Sequence, residues 1–324
     1  MKRKIMLIIG ILMVTSTLLV ANAKISAQEE KPVVVTTTSV IASVVEDLAG
    51  DSVEASYLVP PSLCPGHYDI RPSDVDLISK ADLILKHGIM GEYWLSDLID
   101  SANESGTLSV PVVSVGTSWN TPGATRDIYT NVANALEQYL DLEVENRLSK
   151  CLEAINVTES TLKDIASQYG FNNTPVVVML WQKTFVEYLG FKVVATYGPP
   201  DKISEQDIVE VEENATKEGA IMVIDNLHSG TSTGEKIAED INAVHVVLLN
   251  FPGVVPEAQN LTTMMIYNAK LLAEALNNYE YIVQVQRLSN DVALWRNITI
   301  ALVILAAVEA VLIALMIVKG KKTE

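Results

Sequence analysis

Four side chains able to bind a metal ion follow two predicted strands within residues 57–88. Cys64, His67 and Asp69 fall in an irregular loop after an apolar run that predicts a strand, and His87 ends a second such run. In open α/β folds, ligands bind in the crevice outside the carboxyl ends of the strands. The sequence therefore places a thiol, two imidazoles and a carboxylate at one edge of a predicted sheet.

A second group of polar side chains follows the predicted strands of the C-terminal half: Gln182, Asp225, His228 and Asn250. Thiolate, neutral imidazole and carboxylate groups bind zinc and similar divalent ions, and ligands from separate strand ends can surround one ion. These residues also have structural explanations that involve no metal. Prolines can shape the loop that holds Cys64 and His67 as a simple turn, and an aspartate at a strand end is often a turn residue or a helix cap. The predicted metal ligands are Cys64, His67, His228, Asp225 and His87.

No enzyme motif accompanies these residues. Cys64 and His67 could serve as a nucleophile and a base, but no glycine-rich oxyanion turn follows, and a reactive thiolate is equally a metal ligand. Residues 230–236 lack the spacing of a phosphate-binding loop. His245 lies inside an apolar run and is predicted to be structural. The sequence therefore predicts a binding protein and not an enzyme.

Short β-branched runs alternate with helical segments in both halves of the chain. Such alternation predicts parallel sheets covered on both faces. Between the halves, a proline-free helical tract, broken near Asp141, is too long for an ordinary crossover. The predicted fold class is α/β, with two Rossmann-like lobes that have parallel sheets, a long rigid connecting helix and a C-terminal transmembrane helix.

Both ends of the chain carry apolar runs next to basic residues. The first has the features of a secretory signal, and the second is long enough as a helix to span a bilayer, with lysines after it that place the C-terminus in the cytoplasm. We predict a single-pass cell-membrane protein with an extracytoplasmic ectodomain. The predicted units are a signal peptide (1–23), an N-terminal α/β lobe (32–126), a helical connector (127–170), a C-terminal α/β lobe (171–280), a helical stalk (281–297), a transmembrane helix (298–318) and a cytoplasmic tail (319–324).

The net charge of −17 at pH 7 argues against nucleic acid as a partner, because an acidic surface repels phosphate. The only two cysteines, Cys64 and Cys151, fall in a loop and in a helical segment, which predicts two free thiols. Exposed sequons would make the chain a glycoprotein where the organism glycosylates asparagine. They are Asn103, Asn156, Asn172, Asn214, Asn260 and Asn297.

Several motifs resemble those of the zinc and manganese solute-binding receptors of ABC transporters. That family has a strand, a helix and an AGD turn, then LVPPG, PHxY, PSD, ADL and NG; the counterparts here are VVTTTSVIASVVEDLAGD and YLVPPSLCPGHYDIRPSDVDLISKADLILKHG. The later WQKTFVEYLGFKVV, KEGAIMVIDN and VVLLNFPG extend the resemblance over residues 32–280. It implies capture of a divalent metal ion, zinc before manganese or another transition metal, and delivery to an ABC permease and its ATPase.

The metal-ligand positions that the resemblance implies are not intact. The histidine of PHxY aligns with Gly66, and His67 comes one place later. The family's second ligand, a histidine, falls near residues 122–123, its third, a histidine or glutamate, around 179–182, and its fourth, an aspartate, near Asn250, and none of these residue types stands there. Two interpretations stay open. The site is rebuilt around the Cys-x-x-His loop and groups of the second lobe, or the scaffold binds a metal chelate or other small ligand or serves as a surface protein outside transport.

Overall fold

Valine and threonine make up the first strand, Val33–Thr38, and side chains on both of its faces are buried, as in a sheet covered by helices on each side. The computed structural model of the chain describes residues 31–104 and 110–320; it describes side chains as far as residue 305, except those at 90, 103 and 104. The predicted signal peptide and residues 321–324 lie outside the described residues.

Lobe one is a parallel four-stranded sheet in the order β2-β1-β3-β4 with helices packed against it. Helix α1 ends at Gly50, whose φ of +53° lies in the left-handed region that favours glycine. The elements are β1 (Val33–Thr38), α1 (Ser39–Ala49), β2 (Glu54–Val59), α2 (Pro72–Ser79), β3 (Leu83–Lys86), α3 (Trp94–Glu104), β4 (Val112–Ser114) and α4 (Pro122–Leu140).

Lobe two repeats this architecture with the strand order β6-β5-β7-β8, again all parallel. Its helix α7 begins with a capping box in which the Ser204 hydroxyl accepts from the Asp207 N–H and the Asp207 carboxylate accepts from the Ser204 N–H. The elements are β5 (Pro175–Met179), α6 (Lys183–Tyr188), β6 (Lys192–Tyr197), α7 (Glu205–Glu218), β7 (Met222–Asn226), α8 (Ser232–Asp240) and β8 (Val244–Leu248).

Helix α5 (Glu145–Gln168) joins the two lobes. Ile155 packs in the core of lobe one and Leu162 in the core of lobe two, both fully buried. The predicted helical tract is interrupted at Asp141, whose φ of +53° ends α4, and α4 itself packs in lobe one through residues such as Val132. The predicted fold class, two parallel α/β lobes bridged by a long helix, is confirmed.

The chain crosses back into lobe one after β8. Phe251 and Leu261 belong to the core of lobe one, although the sequence prediction assigned residues 171–280 to the C-terminal lobe. Helix α9 (Leu261–Gly320) then packs against lobe two through Leu272. The lobes are therefore held by two helices, α5 and the start of α9, and by the segment between β8 and α9.

Helix α9 is 60 residues long, about 90 Å at a rise of ~1.5 Å per residue. The described side chains beyond Leu276 are no longer buried, so the helix leaves the lobes there. In the described part of the chain, α9 alone is long and apolar enough to cross a membrane by length and composition. The predicted stalk and transmembrane segment are parts of this one helix, and their boundaries stay predictions.

Candidate functional site

A row of four rings lies where loops of the two lobes meet. Ring centroids are 4.4 Å apart for His87 and Trp119, 5.7 Å for Trp119 and Phe251, and 4.8 Å for Phe251 and His228. The first two residues follow β3 and β4, and the others follow β8 and β7. All four side chains are buried. This aromatic row fills the depth of the cleft with protein.

Both ring nitrogens of His87 have partners inside lobe one. Nδ1 lies 3.0 Å from the Gly116 carbonyl oxygen and Nε2 lies 2.7 Å from the Thr38 hydroxyl. Because a carbonyl oxygen only accepts, Nδ1 carries the proton and Nε2 accepts from Thr38. Burial lowers the pKa of His87, against the opposing effect of the nearby Glu92 carboxylate. His87 is therefore neutral and fully hydrogen-bonded.

His228 connects the lobes. Its Nε2 donates to the Pro61 carbonyl of lobe one at 2.8 Å, and its Nδ1 lies 3.4 Å from the Asn250 backbone nitrogen, which donates to it. Burial lowers the pKa of His228 to about 4, although the bond to Pro61 opposes this. The imidazole therefore acts here as an uncharged link across the cleft.

Acidification is expected to destabilise the fold through this imidazole. His228 has a pKa of about 4 in the folded protein and 6.5 as its ordinary value, so below pH 6.5 the unfolded state binds more protons. Stability is then unaffected above pH 6.5 and falls as the pH drops toward 4, by about 2 kcal/mol at pH 5. Burial lowers the pKa of His87 too, which adds in the same direction.

Urea unfolding at pH 7.5 and pH 5 measures this loss. Carboxylates also titrate in this range, so the informative quantity is the difference between the wild type and His228→Gln, which cannot gain the proton. We expect the free energy of unfolding to depend less on pH in the variant. Equal dependence in both proteins would show that His228 does not carry the effect.

Asp225 is held inside lobe two. The carboxylate is fully buried, with Oδ2 3.2 Å from His245 Nε2 and Oδ1 accepting the Asn226 backbone N–H at 2.8 Å. Burial, and next the nearby Asp225 carboxylate, raise the pKa of the Tyr197 hydroxyl, which stays a phenol. These partners of Asp225 all belong to lobe two. His245 has the structural partner that its apolar surroundings predicted.

The mouth of the cleft holds the Cys-x-x-His loop. His67 is 52% exposed in its side chain, and its Nε2 lies 3.7 Å from Asp201 Oδ2 in the loop after β6 of lobe two. Cys64 is a half-buried free thiol, as predicted, and the Trp94 indole fixes the loop by donating to the Pro65 carbonyl at 2.9 Å. A thiol, an imidazole and a carboxylate thus come from facing loops of the two lobes.

The five predicted ligands do not form one cluster. Within residues 31–104 and 110–320, no three His, Cys, Asp or Glu side chains are grouped to hold a metal ion. The predicted ligands occupy three places: Cys64 and His67 at the mouth, His87 and His228 in the aromatic row, and Asp225 inside lobe two. The last three already have protein partners in this conformation, and the ligand assignment stays a prediction.

The positions implied by the family resemblance are occupied by residues with structural roles. Gln182 is buried and donates to the Leu249 carbonyl at 3.3 Å, and the Asn250 carbonyl accepts from the Trp119 indole at 2.8 Å. Pro122 opens helix α4. At these three positions the chain therefore has an amide, an amide and a proline, and none of them is a histidine or a carboxylate.

Sequence reasoning missed Trp119, Phe251 and Asp201. The two aromatic residues lie in loops after predicted strands, where a large apolar side chain among polar neighbours was the available signal of a covered cleft. No sequence pattern marks Asp201 as a site residue, because only its contact with His67 of the other lobe places it at the cleft.

Two parallel α/β lobes that face each other across a cleft and share a bridging helix define the class of two-lobe solute-binding proteins. The chain belongs to the family described as "Zinc-uptake complex component A periplasmic", which matches residues 34–275. Its members are solute-binding subunits of metal ABC transporters. The resemblance predicted from the sequence is thereby confirmed.

Individual relatives match shorter segments. The manganese ABC transporter substrate-binding lipoprotein PsaA of Streptococcus pneumoniae is 37% identical over 82 residues, which are 24% of this chain and 26% of the relative. The metal ABC transporter substrate-binding lipoprotein SsaB of Streptococcus sanguinis is 35% identical over 95 residues, 28% of this chain and 31% of the relative. The chain thus aligns with less than a third of either protein.

Solved structures match the fold at greater length. The periplasmic zinc-binding protein TroA of Treponema pallidum superposes with a TM-score of 0.64 at 17% identity, covering 76% of this chain and 99% of that protein. The manganese-bound periplasmic metal-binding protein of Candidatus Liberibacter asiaticus gives 0.65 at 16% identity, with 76% and 100% covered. At such identities the likeness concerns the fold.

Proposed function

We propose that this protein is the membrane-anchored, extracytoplasmic receptor of an ABC importer, which captures a divalent metal ion and delivers it to a permease and its ATPase. Zinc is the first candidate and manganese or another transition metal the next. The observation that carries the proposal is the approach of two facing loops at the cleft mouth, where His67 Nε2 of lobe one lies 3.7 Å from Asp201 Oδ2 of lobe two. Cys64 precedes His67 in the same loop.

The donor set favours zinc. Thiolate, imidazole and carboxylate together are typical zinc ligands, whereas manganese and magnesium prefer oxygen. His67 is half exposed and its described partner is an aspartate across the cleft, so a cation can enter between them without breaking the core. His87, His228 and Asp225 have buried partners and would join the site only after a rearrangement of the cleft.

Zinc titration of the purified full-length chain in mild detergent tests the proposal. We expect Cys64→Ser and His67→Ala each to weaken zinc affinity by more than ~10-fold, about 1.4 kcal/mol, with unchanged circular dichroism. Cys151→Ser is the matched control, because this thiol lies on α5 beside Asp47, away from the mouth. Unaltered affinity in both loop variants would remove the loop from the site.

A second candidate is supported by the aromatic row. A cleft that its own rings and hydrogen bonds already close needs no solute for closure, as suits a surface protein of this fold that acts outside transport. Native mass spectrometry with elemental analysis separates the candidates. A bound metal supports the receptor, and a bound organic molecule indicates a different solute. A protein with no bound metal and no bound organic molecule supports the second candidate.

A further inference from the structure

The exposed part of α9 carries an apolar stripe that nothing in the described structure covers. We call Tyr281, Val285, Leu288, Val292 and Trp295 the stalk seam. These side chains are between 46% and 69% exposed. Their spacing alternates four and three residues, which places all five on one face of a helix. This spacing is typical of the seam of a two-stranded coiled coil.

We propose that the stalk seam pairs with the same seam of a second copy of this chain, in a parallel two-stranded coiled coil above the membrane. The pattern is self-complementary. Counted as heptads, β-branched Val285 and Val292 occupy position a and Leu288 occupies position d, the combination that favours parallel dimers.

The charges beside the seam agree with this partner. Asp291 falls on position g and Arg296 on position e of the next heptad, the two positions that face each other between parallel chains in register. The preceding pair of such positions is uncharged, Gln284 and Ser289, so no like charges are opposed. Each dimer would thus form the acid–base contact twice.

The helix itself sets the orientation. From Leu261 to Gly320 it is unbroken, and it contains no proline and no glycine before Gly320. The stalk therefore continues the axis of the membrane-crossing segment and cannot lie flat on the bilayer. Two copies anchored in one membrane are parallel and at the same height, and confinement in the membrane raises their effective concentration. A coiled coil of only two heptads is weak on its own and needs this higher concentration to form. By counting, Glu309 also falls on position d.

Disulfide cross-linking of the full-length chain tests this pairing. In a background with Cys64→Ser and Cys151→Ser, expressed without a permease and reconstituted at low density in phosphatidylcholine vesicles, single cysteines are introduced and oxidised. We expect Leu288→Cys and Val292→Cys to form covalent dimers at least ~10-fold faster than Asn290→Cys, whose position f faces away from the seam. Equal rates at these positions, or no dimer, would overturn the proposal.

Charge reversal tests the register. Asp291→Arg and Arg296→Asp should each slow cross-linking of Leu288→Cys, because like charges then face each other, and the double reversal should restore the rate. A double variant as slow as the single ones would contradict the parallel register. The stalk side chains are exposed, so these substitutions leave the cores of the lobes intact.

Discussion

Replacing Gly234 by alanine is expected to destabilise lobe two by about 3 kcal/mol or more. A Cβ at this position, in the first turn of α8, would overlap Asp225 Oδ2 and the Tyr197 hydroxyl and would lie 2.9 Å from Asp225 Cγ. Overpacking usually costs about 1–3 kcal/mol. Here it also displaces a fully buried carboxylate from His245, and an uncompensated buried charge costs about 3–5 kcal/mol. The helix propensity gained, at most about 1 kcal/mol, does not offset this.

Gly123→Ala is the matched control. Gly123 also lies in the first turn of a helix, α4, but nothing stands within 4 Å of a Cβ placed there and its φ is not positive. We expect this variant to equal the wild type or to gain up to about 1 kcal/mol. Urea unfolding followed by circular dichroism compares them. An unchanged midpoint for Gly234→Ala would mean that α8 shifts freely away from the sheet, against the packing described here.

The fold could be predicted because its signals are local. The runs Val33–Thr38 and Pro175–Met179 are rich in β-branched residues, and each is followed by a helical segment, which leaves few arrangements other than a covered parallel sheet. Gly50 ended a helix as its conformational freedom predicts. The return of Phe251 to lobe one was not visible, because an apolar residue does not specify which core receives it.

The site could be predicted only in part. The sequence identified His87 and His228 as cleft residues, but each ring has a backbone carbonyl among its partners, that of Gly116 or Pro61. Such oxygens are distant in the chain and present at every residue. No residue pattern encodes such partners. The contacts of the Asp225 carboxylate could not be predicted either. Strand periodicity places Asp225 at a sheet edge, but it does not show that His245 of the next strand lies within hydrogen-bond distance of its carboxylate inside lobe two.

Removing the Trp119 ring is expected to open the cleft. Trp119 is buried, packs against His87 and Phe251, and donates to the Asn250 carbonyl at 2.8 Å, so Trp119→Ala removes the centre of the aromatic row. Large-to-small changes at buried tryptophans cost about 3–5 kcal/mol. Trp181→Ala is the control, because that ring is 47% exposed at the edge of lobe two and should cost far less.

Hydrogen exchange and zinc titration of the same variants link this packing to function. Without the Trp119 ring, the contacts with His87 and Asn250 are lost. Backbone amides of the loops around Gly116 and His228 should therefore exchange faster in Trp119→Ala and not in Trp181→Ala. If the metal is held at the mouth by Cys64 and His67, zinc affinity should stay within ~3-fold of the wild type, under about 0.7 kcal/mol. A large gain in affinity would instead show that the ring occupies the place of the ion, and that the depth of the cleft, with His87 and His228 freed, is the true site.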